Sequence, residues 1–253
     1  MRHGRAERMN SFYIEGRGEP GHSARLVSEE AKHAYQVLRL RPGEEIFAVD
    51  ESGARFLAEL TEVGKAECVC AIREALPDNE PPVRVTLYQG LPKADKLDFI
   101  AQKLTELGAA RLAPVKMERC VVKLDGKDGE KRRERLQKIA REAAKQCKRG
   151  RAPEVLPPRS WKQLAEDMKQ HDLLLVPWED AAGYGLQAAR AEFPDARDIG
   201  VVIGPEGGMS ADEVRALAEL GAKPITLGAR ILRTETAAVA ACAMTMLLWG
   251  DLG

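Results

Sequence analysis

Two hydrophobic periods divide the chain. Between about Glu45 and Ala75, apolar and polar positions alternate in short runs, EIFAVD, ARFLAEL and ECVCAIREA, separated by Gly53 and Gly64. A two-residue period sends neighbouring side chains to opposite faces, so the stretch predicts three or more half-buried antiparallel strands joined by turns. Ahead of it, SEEAKHAYQVLRL places Ala31, Ala34, Val37 and Leu38 on one face of a helix opened by Ser28. The first 80 residues thus predict a small β-barrel or sheet carrying one helix. LPDNEPP, residues 76–82, is acidic and proline-bearing and marks a boundary between domains at 1–80 and 81–253.

Beyond the boundary, strands and helices alternate. VRVTLYQG, ARLAPVKM and PITLG read as strands, and DLLLVPWE and DIGVVIG are the continuous apolar runs of strands covered on both faces of a parallel sheet. ADKLDFIAQKLTELG is a helix with Leu97, Ile100, Leu104 and Leu107 on one face and Gly108 closing it. A basic helix runs from about Lys131 to Lys148. SADEVRALAELG begins on the capping box of Ser210 and Glu213 and ends at Gly221. TETAAVAACAMTMLLW is apolar on most of its surface, so it must be buried in the domain or against a second subunit. The pattern predicts an α/β class with a mainly parallel sheet behind a small β domain.

Composition removes options more than it adds them. The 39 bases and 39 acids cancel, so net charge proposes no partner. Five cysteines form no C-x-x-C pair and share no regular spacing with the four histidines, which points to free thiols and no metal. No apolar run nears the roughly 18 residues of a membrane span. The start, MRHGRAERMN, lacks an apolar signal core and reads as an extension ahead of Met9, with residues 1–8 disordered. These features predict a soluble, cytoplasmic protein.

Open α/β sheets bind ligands at the carboxyl ends of their strands, and three such ends attract attention. GYGLQA, from Gly183, matches the dinucleotide fingerprint only weakly, because about five residues separate it from the strand. IGPEGG has no lysine for a phosphate and places Glu206 inside a turn stiffened by Pro205 and freed by Gly207 and Gly208. A bare turn with an acid suits a cationic ligand or one rich in hydroxyl and amine donors. LGARILRTETA packs Arg230, Arg233 and Glu235 between a strand and the apolar helix, where Thr234 and Thr236 are alternative caps. A structural turn and a surface ion-pair cluster would explain either motif alone. The two together, about 20 residues apart in one sheet, are less easily dismissed.

KRRERLQKIAREAAKQCKRGR, residues 131–151, carries ten bases against two acids, a local charge of +8 in a neutral chain. Leu136, Ile139, Ala143 and Cys147 line one face of that helix, and Lys138, Arg141, Lys145 and Lys148 another. Such a stripe fits contact with a phosphate backbone; a merely solvated face is the alternative.

Taken together, IGPEGGMSADEV and LGARILRTETAAVAA resemble the RsmE family of bacterial methyltransferases, which modify N3 of a uridine in small-subunit (16S) ribosomal RNA. KLTELG, ERCVVK and REAAKQCKRGRAPEV resemble further family segments in order, and HAYQVLRLRPGEEI resembles its PUA-like RNA-binding domain. The resemblance covers nearly the whole chain. It implies the SPOUT class: a trefoil-knotted, mainly parallel sheet with helices on both faces behind a PUA-like β-barrel, S-adenosylmethionine as cofactor, and a homodimer. Carried over, the cofactor loops are the strand end at Pro177, the turn Gly204, Pro205, Glu206, Gly207 and Gly208, and the stretch holding Leu227, Gly228, Ile231, Leu232, Thr236 and Ala237. RNA contacts fall on Arg17, Arg25 and Arg39, then on Lys93, Lys138, Arg141, Lys145, Arg149 and Arg151. The family's arginine before its first aromatic pair is replaced here by Asn10 and Ser11 before Phe12 and Tyr13, and Cys120 stands where serine is common.

The chemistry assigns Arg233 first, and Arg230 second, to stabilise the anion that forms when uridine N3 loses its proton. Glu206 is left with three alternatives: holding donor groups of the cofactor, favouring its positive charge, or accepting the N3 proton. The competing readings are a non-catalytic RNA- or ribosome-binding protein, methylation of another RNA nucleotide, and a nicotinamide enzyme resting on GYGLQA.

Overall fold

The computed structural model describes residues 9–122 and 126–253, so the extension ahead of Met9 lies outside the described residues. The chain divides into two compact units, one of residues 1–80 with 144–151 and one of 81–143 with 152–253.

In the first unit, β1 (Ser11–Tyr13), β2 (Ser23–Val27), β3 (Glu45–Val49), β4 (Arg55–Val63) and β5 (Glu67–Leu76) form one sheet in the order β1-β3-β4-β5-β2. The expected strands are β3, β4 and β5, paired antiparallel, and β1 adds a parallel edge. The sheet curls: the Glu15 N–H, just past β1, donates to the Arg25 carbonyl on the opposite edge strand at 3.0 Å. Alternation fills its inside with Phe12, Leu26, Ile46, Leu60, Cys68, Cys70 and Ile72. Burial pushes the Cys70 thiol up to about 11, so it packs as a small apolar group.

The helix α1 (Ser28–Lys32) opens at Ser28 as the pattern predicts, but without a serine cap, and departs from expectation at its far end. Val27 occupies its cap position without a side-chain bond, and Ser28 has a positive φ of 54°. The helix continues as a π-turn over His33–Val37, which inserts a residue into the repeat. Ala31 and Ala34 stay buried, but Val37 is rotated out and is 67% exposed.

In the second unit, seven strands form one parallel sheet: β6 (Arg84–Gly90), β7 (Arg111–Lys116), β8 (Glu154–Val155), β9 (Arg159–Ser160), β10 (Leu173–Pro177), β11 (Asp198–Ile203) and β12 (Lys223–Ile225). The order is β12-β10-β11-β6-β7-β8, with β9 also on β7. Helices cover both faces. Val85, Leu87, Leu175, Val201 and Ile203 pack on one face with α2 (Lys96–Glu106), α3 (Gly126–Gln146), α5 (Leu186–Glu192) and α7 (Thr234–Trp249). Alternate residues Val115, Leu174, Val176 and Val202 face α4 (Trp161–Met168) and α6 (Ala211–Glu219). Each large side chain buried this way contributes about 1.5–3 kcal/mol.

The basic helix starts five residues earlier and ends two residues sooner than its charge pattern predicts. The capping box of Ser210 and Glu213 is present, and Glu213 also accepts the Glu118 N–H at 2.9 Å. A polar pin crosses the second face: fully buried Tyr88 donates to Asp167 and meets His171 Nε2 at 2.8 Å, while Arg111 holds Asp167 at 3.1 Å. Burial first, and then Asp167, push the Tyr88 hydroxyl far above its ordinary range. Among the described residues no helix is long and apolar enough to cross a membrane.

Candidate active site

The carboxyl ends of β10, β11 and β12 open onto a cavity of about 440 Å³. The turn after β11 is shaped by close packing. A side chain on Gly90, at the end of β6, would sit 2.6 Å from Pro205 N, so only glycine lets the two loops touch. Gly208 has a φ of +69°, which glycine adopts without strain. From the other side, the Thr234 hydroxyl donates to the Gly204 carbonyl at 2.6 Å and accepts from Gln89 Nε2 at 2.9 Å. Arg233, not Thr234 or Thr236, occupies the cap position of α7, because the Thr234 hydroxyl is committed to Gly204.

Most residues named from the sequence meet here. Pro177, Gly204, Pro205, Glu206 and Gly208 line the cavity, as do Leu227, Gly228, Ile231, Leu232 and Ala237. Arg230 and Arg233 line it as exposed cations, and among the described residues neither has an ion-pair partner. Gly207 and Thr236 lie outside the lining. Gly207 instead gives its carbonyl to Arg119 at 3.0 Å, and Thr236 is exposed. GYGLQA forms the passage into α5, where Gly185 bridges to Thr226.

Lys96, Trp178, Glu179, Ile203, Met209 and Thr226 line the cavity without having been singled out. The strand-end rule reaches Lys96 once it is applied to β6, whose strand runs directly into LPKADK. The Lys96 ammonium bridges Glu206 and Glu235 at 3.1 Å each, and Glu206 also accepts the Lys93 N–H at 3.0 Å. Burial works to raise both carboxyls, but backbone N–H donors and Lys96 outweigh it and hold them below the ordinary carboxylate range. The two carboxylates in turn raise Lys96. Glu206 is therefore a fixed anion, poorly suited to accept a proton.

The basic residues divide. Lys138 and Arg141 are exposed on α3. Lys145 and Arg149 are not free for RNA: Lys145 is 8% exposed and pairs with Glu30 at 3.0 Å, and Arg149 is 6% exposed and pairs with Glu80 at 2.5 Å. Their charges are consumed inside the first unit. Arg17, Arg39 and Lys93 are exposed, Arg25 pairs with Glu15 at 3.2 Å, and Arg151 pairs loosely with Asp78 at 3.7 Å.

Residues 79–246 match a family described as an RNA methyltransferase domain, and residues 28–73 match an RNA methyltransferase PUA domain. The chain is 39% identical over 235 residues to the ribosomal RNA small subunit methyltransferase E of Bacillus subtilis, covering 89% of this chain and 92% of the relative. The Mycobacterium tuberculosis protein of the same name is 33% identical over 91% of this chain and 88% of its own. A crystal structure of the Neisseria gonorrhoeae enzyme of that name, bound to S-adenosylmethionine, superposes with a TM-score of 0.86 at 36% identity, over 97% of this chain and all of the other. The chain belongs to the RsmE family of ribosomal RNA small subunit methyltransferases.

Proposed function

We propose that the protein methylates N3 of a uridine in 16S ribosomal RNA of the small subunit, with S-adenosylmethionine as methyl donor. The observation that carries this reading is the cavity at the strand ends, in which two exposed arginines face a glycine turn. Its volume falls within the range of about 300–1,000 Å³ usual for small-molecule sites. Ile203, Leu227, Leu232 and Ala237 offer an apolar wall, and Gly204, Gly208 and Gly228 expose bare backbone. At the glycine turn Lys96 is consumed by two carboxylates, so that side of the cavity suits a donor-rich or cationic group better than a phosphate.

S-adenosylmethionine supplies a methyl group on a positively charged sulfur, open to in-line attack. Uridine N3 attacks only after giving its proton to water, the resulting charge spreads onto the flanking carbonyl oxygens, and methyl transfer leaves S-adenosylhomocysteine. Arg233, at the N-terminus of α7 where the helix dipole adds to its charge, is placed to hold that anion, with Arg230 second. Glu206 fixes the turn through Lys96 and the Lys93 amide and is not the base. Holding acceptor and donor in line supplies much of the remaining catalysis.

Residues 1–80 serve as the PUA-like RNA-binding domain and residues 81–253 as the catalytic SPOUT domain. Lys138 and Arg141 on α3, with Lys93 and Arg151, contact RNA phosphates in the second, and Arg17, Arg25 and Arg39 do so in the first. The chain acts in the cytoplasm as a homodimer. The second domain carries the trefoil knot that the family resemblance implies. Mass mapping of 16S ribosomal RNA from cells with and without the protein tests the reading. One uridine should lose one methyl group in the deletion, and an unchanged map overturns it.

A further inference from the structure

The cavity holds more acid than its turn requires. Glu206 and Glu235 are spent on Lys96. Glu179, two residues past the end of β10, lines the same cavity, and among the described residues it accepts no hydrogen bond and forms no ion pair. Its carboxylate lies against the bare face of Gly208, where an added Cβ would stand 3.4 Å from Glu179 Oε1. The turn thus leaves room beside a free anion. A ligand that fills the cavity strips water from that carboxylate and must return a donor to it.

We propose that Glu179 receives the ammonium group of the amino-acid end of the methyl donor. The inference rests on the reading that this cavity binds S-adenosylmethionine. That end of the molecule carries an ammonium and a carboxylate. The exposed cation Arg230 and the bare backbone suit the carboxylate, and among the described residues of the lining Glu179 is the uncommitted anion left to meet the ammonium. A negative charge in the turn region was legible in IGPEGG, but the residue that meets the ligand comes from a neighbouring strand end.

Calorimetric titration of the full chain and of Glu179→Gln with three ligands tests the assignment: S-adenosylmethionine, S-adenosylhomocysteine and 5′-methylthioadenosine. The last retains adenine and ribose and lacks the amino acid. A charge-assisted contact of this kind corresponds to about 10–100-fold in affinity. The variant should lose that factor for the first two ligands alike and bind 5′-methylthioadenosine as the unmutated protein does, which also shows that it is folded. Unchanged affinity for S-adenosylmethionine overturns the proposal. So does an equal loss for 5′-methylthioadenosine, which would place Glu179 on the ribose. Unmutated protein that binds none of the three removes the cofactor reading itself, and the control separates that result from the other two.

Discussion

Lys96 joins two carboxylates beside the cavity. One ammonium between two carboxylates leaves a single net negative charge and ties the turn after β11 to the first turn of α7. Replacing it, as in Lys96→Met, should lower stability by about 1–3 kcal/mol, because two acids lose a charged partner. Melting temperatures read this directly. The pH dependence follows from the shifts. The two glutamates are held low, so their contribution is present above the ordinary value of 4.5 and is lost as pH falls through their lower folded values. Lys96 is held high, so its contribution is present below 10.5 and is lost as pH rises through its raised value. The melting difference between wild type and Lys96→Met should be flat between those limits and shrink beyond both. Arg233 answers to a different measurement. Arg233→Ala should leave S-adenosylmethionine affinity nearly intact while methylation slows about 10²–10³-fold, as for loss of one donor to a developing anion. Full activity in that variant would remove its role.

At the scale of the element, α3 shows how a charge count along the chain misleads. The run 131–151, most of it on α3, sets ten bases against two acids in sequence but meets several more acids in space. Asp98 pairs with Arg132 at 3.1 Å and with Arg135, Glu130 pairs with Arg133, and Glu30 and Glu80 take Lys145 and Arg149. Those acids come from other elements or from the helix start, so no window drawn on the run includes them all. Lys138 and Arg141, which stay exposed, carry the expectation for RNA. Changing both to glutamate should weaken RNA binding and flatten its dependence on salt, with melting unchanged. Arg149→Met should do the reverse: it strands Glu80 and lowers stability by about 3–5 kcal/mol without altering the salt slope of what remains folded. Local chemistry was more readable elsewhere. The Ser210 box, Gly108 and Gly221 at helix ends, and the alternation of β3 to β5 each depend on neighbours within a few residues, and each stands where the pattern places it. Short β8 and β9 have too few residues to show a period, and the π-turn after α1 breaks the repeat that would have announced it.

For the whole molecule, strand identity could be read from apolar runs but strand order could not. β6 lies between β11 and β7, and β12 lies beside β10, so neighbours in the sheet are far apart in the chain. No periodicity encodes that. The cavity inherits the same limit: IGPEGG and LGARILRTETA name two walls, while Lys96 and Glu179 arrive from strands whose adjacency only the sheet order supplies. The last helix leaves a comparable question open at its outer surface. TETAAVAACAMTMLLW is apolar nearly all round, yet the domain covers only part of it. Leu247 on α7 remains 58% exposed, and Phe99 is exposed on α2, which packs beside α7. Ile231, at the cavity's edge, is 85% exposed. A helix of this composition is stable in water when a second surface covers the remainder, and the proposed homodimer supplies one from another copy of the chain. Leu247→Glu places a charge in that surface without touching the cavity or the sheet. Sedimentation should then find the wild type at twice the chain mass and the variant shifted to a single chain, with its S-adenosylmethionine affinity reduced only so far as the partner's coverage of Ile231 supports the pocket. A wild type that sediments as one chain would leave the exposed stripe without a partner of this kind and remove the dimer from the account.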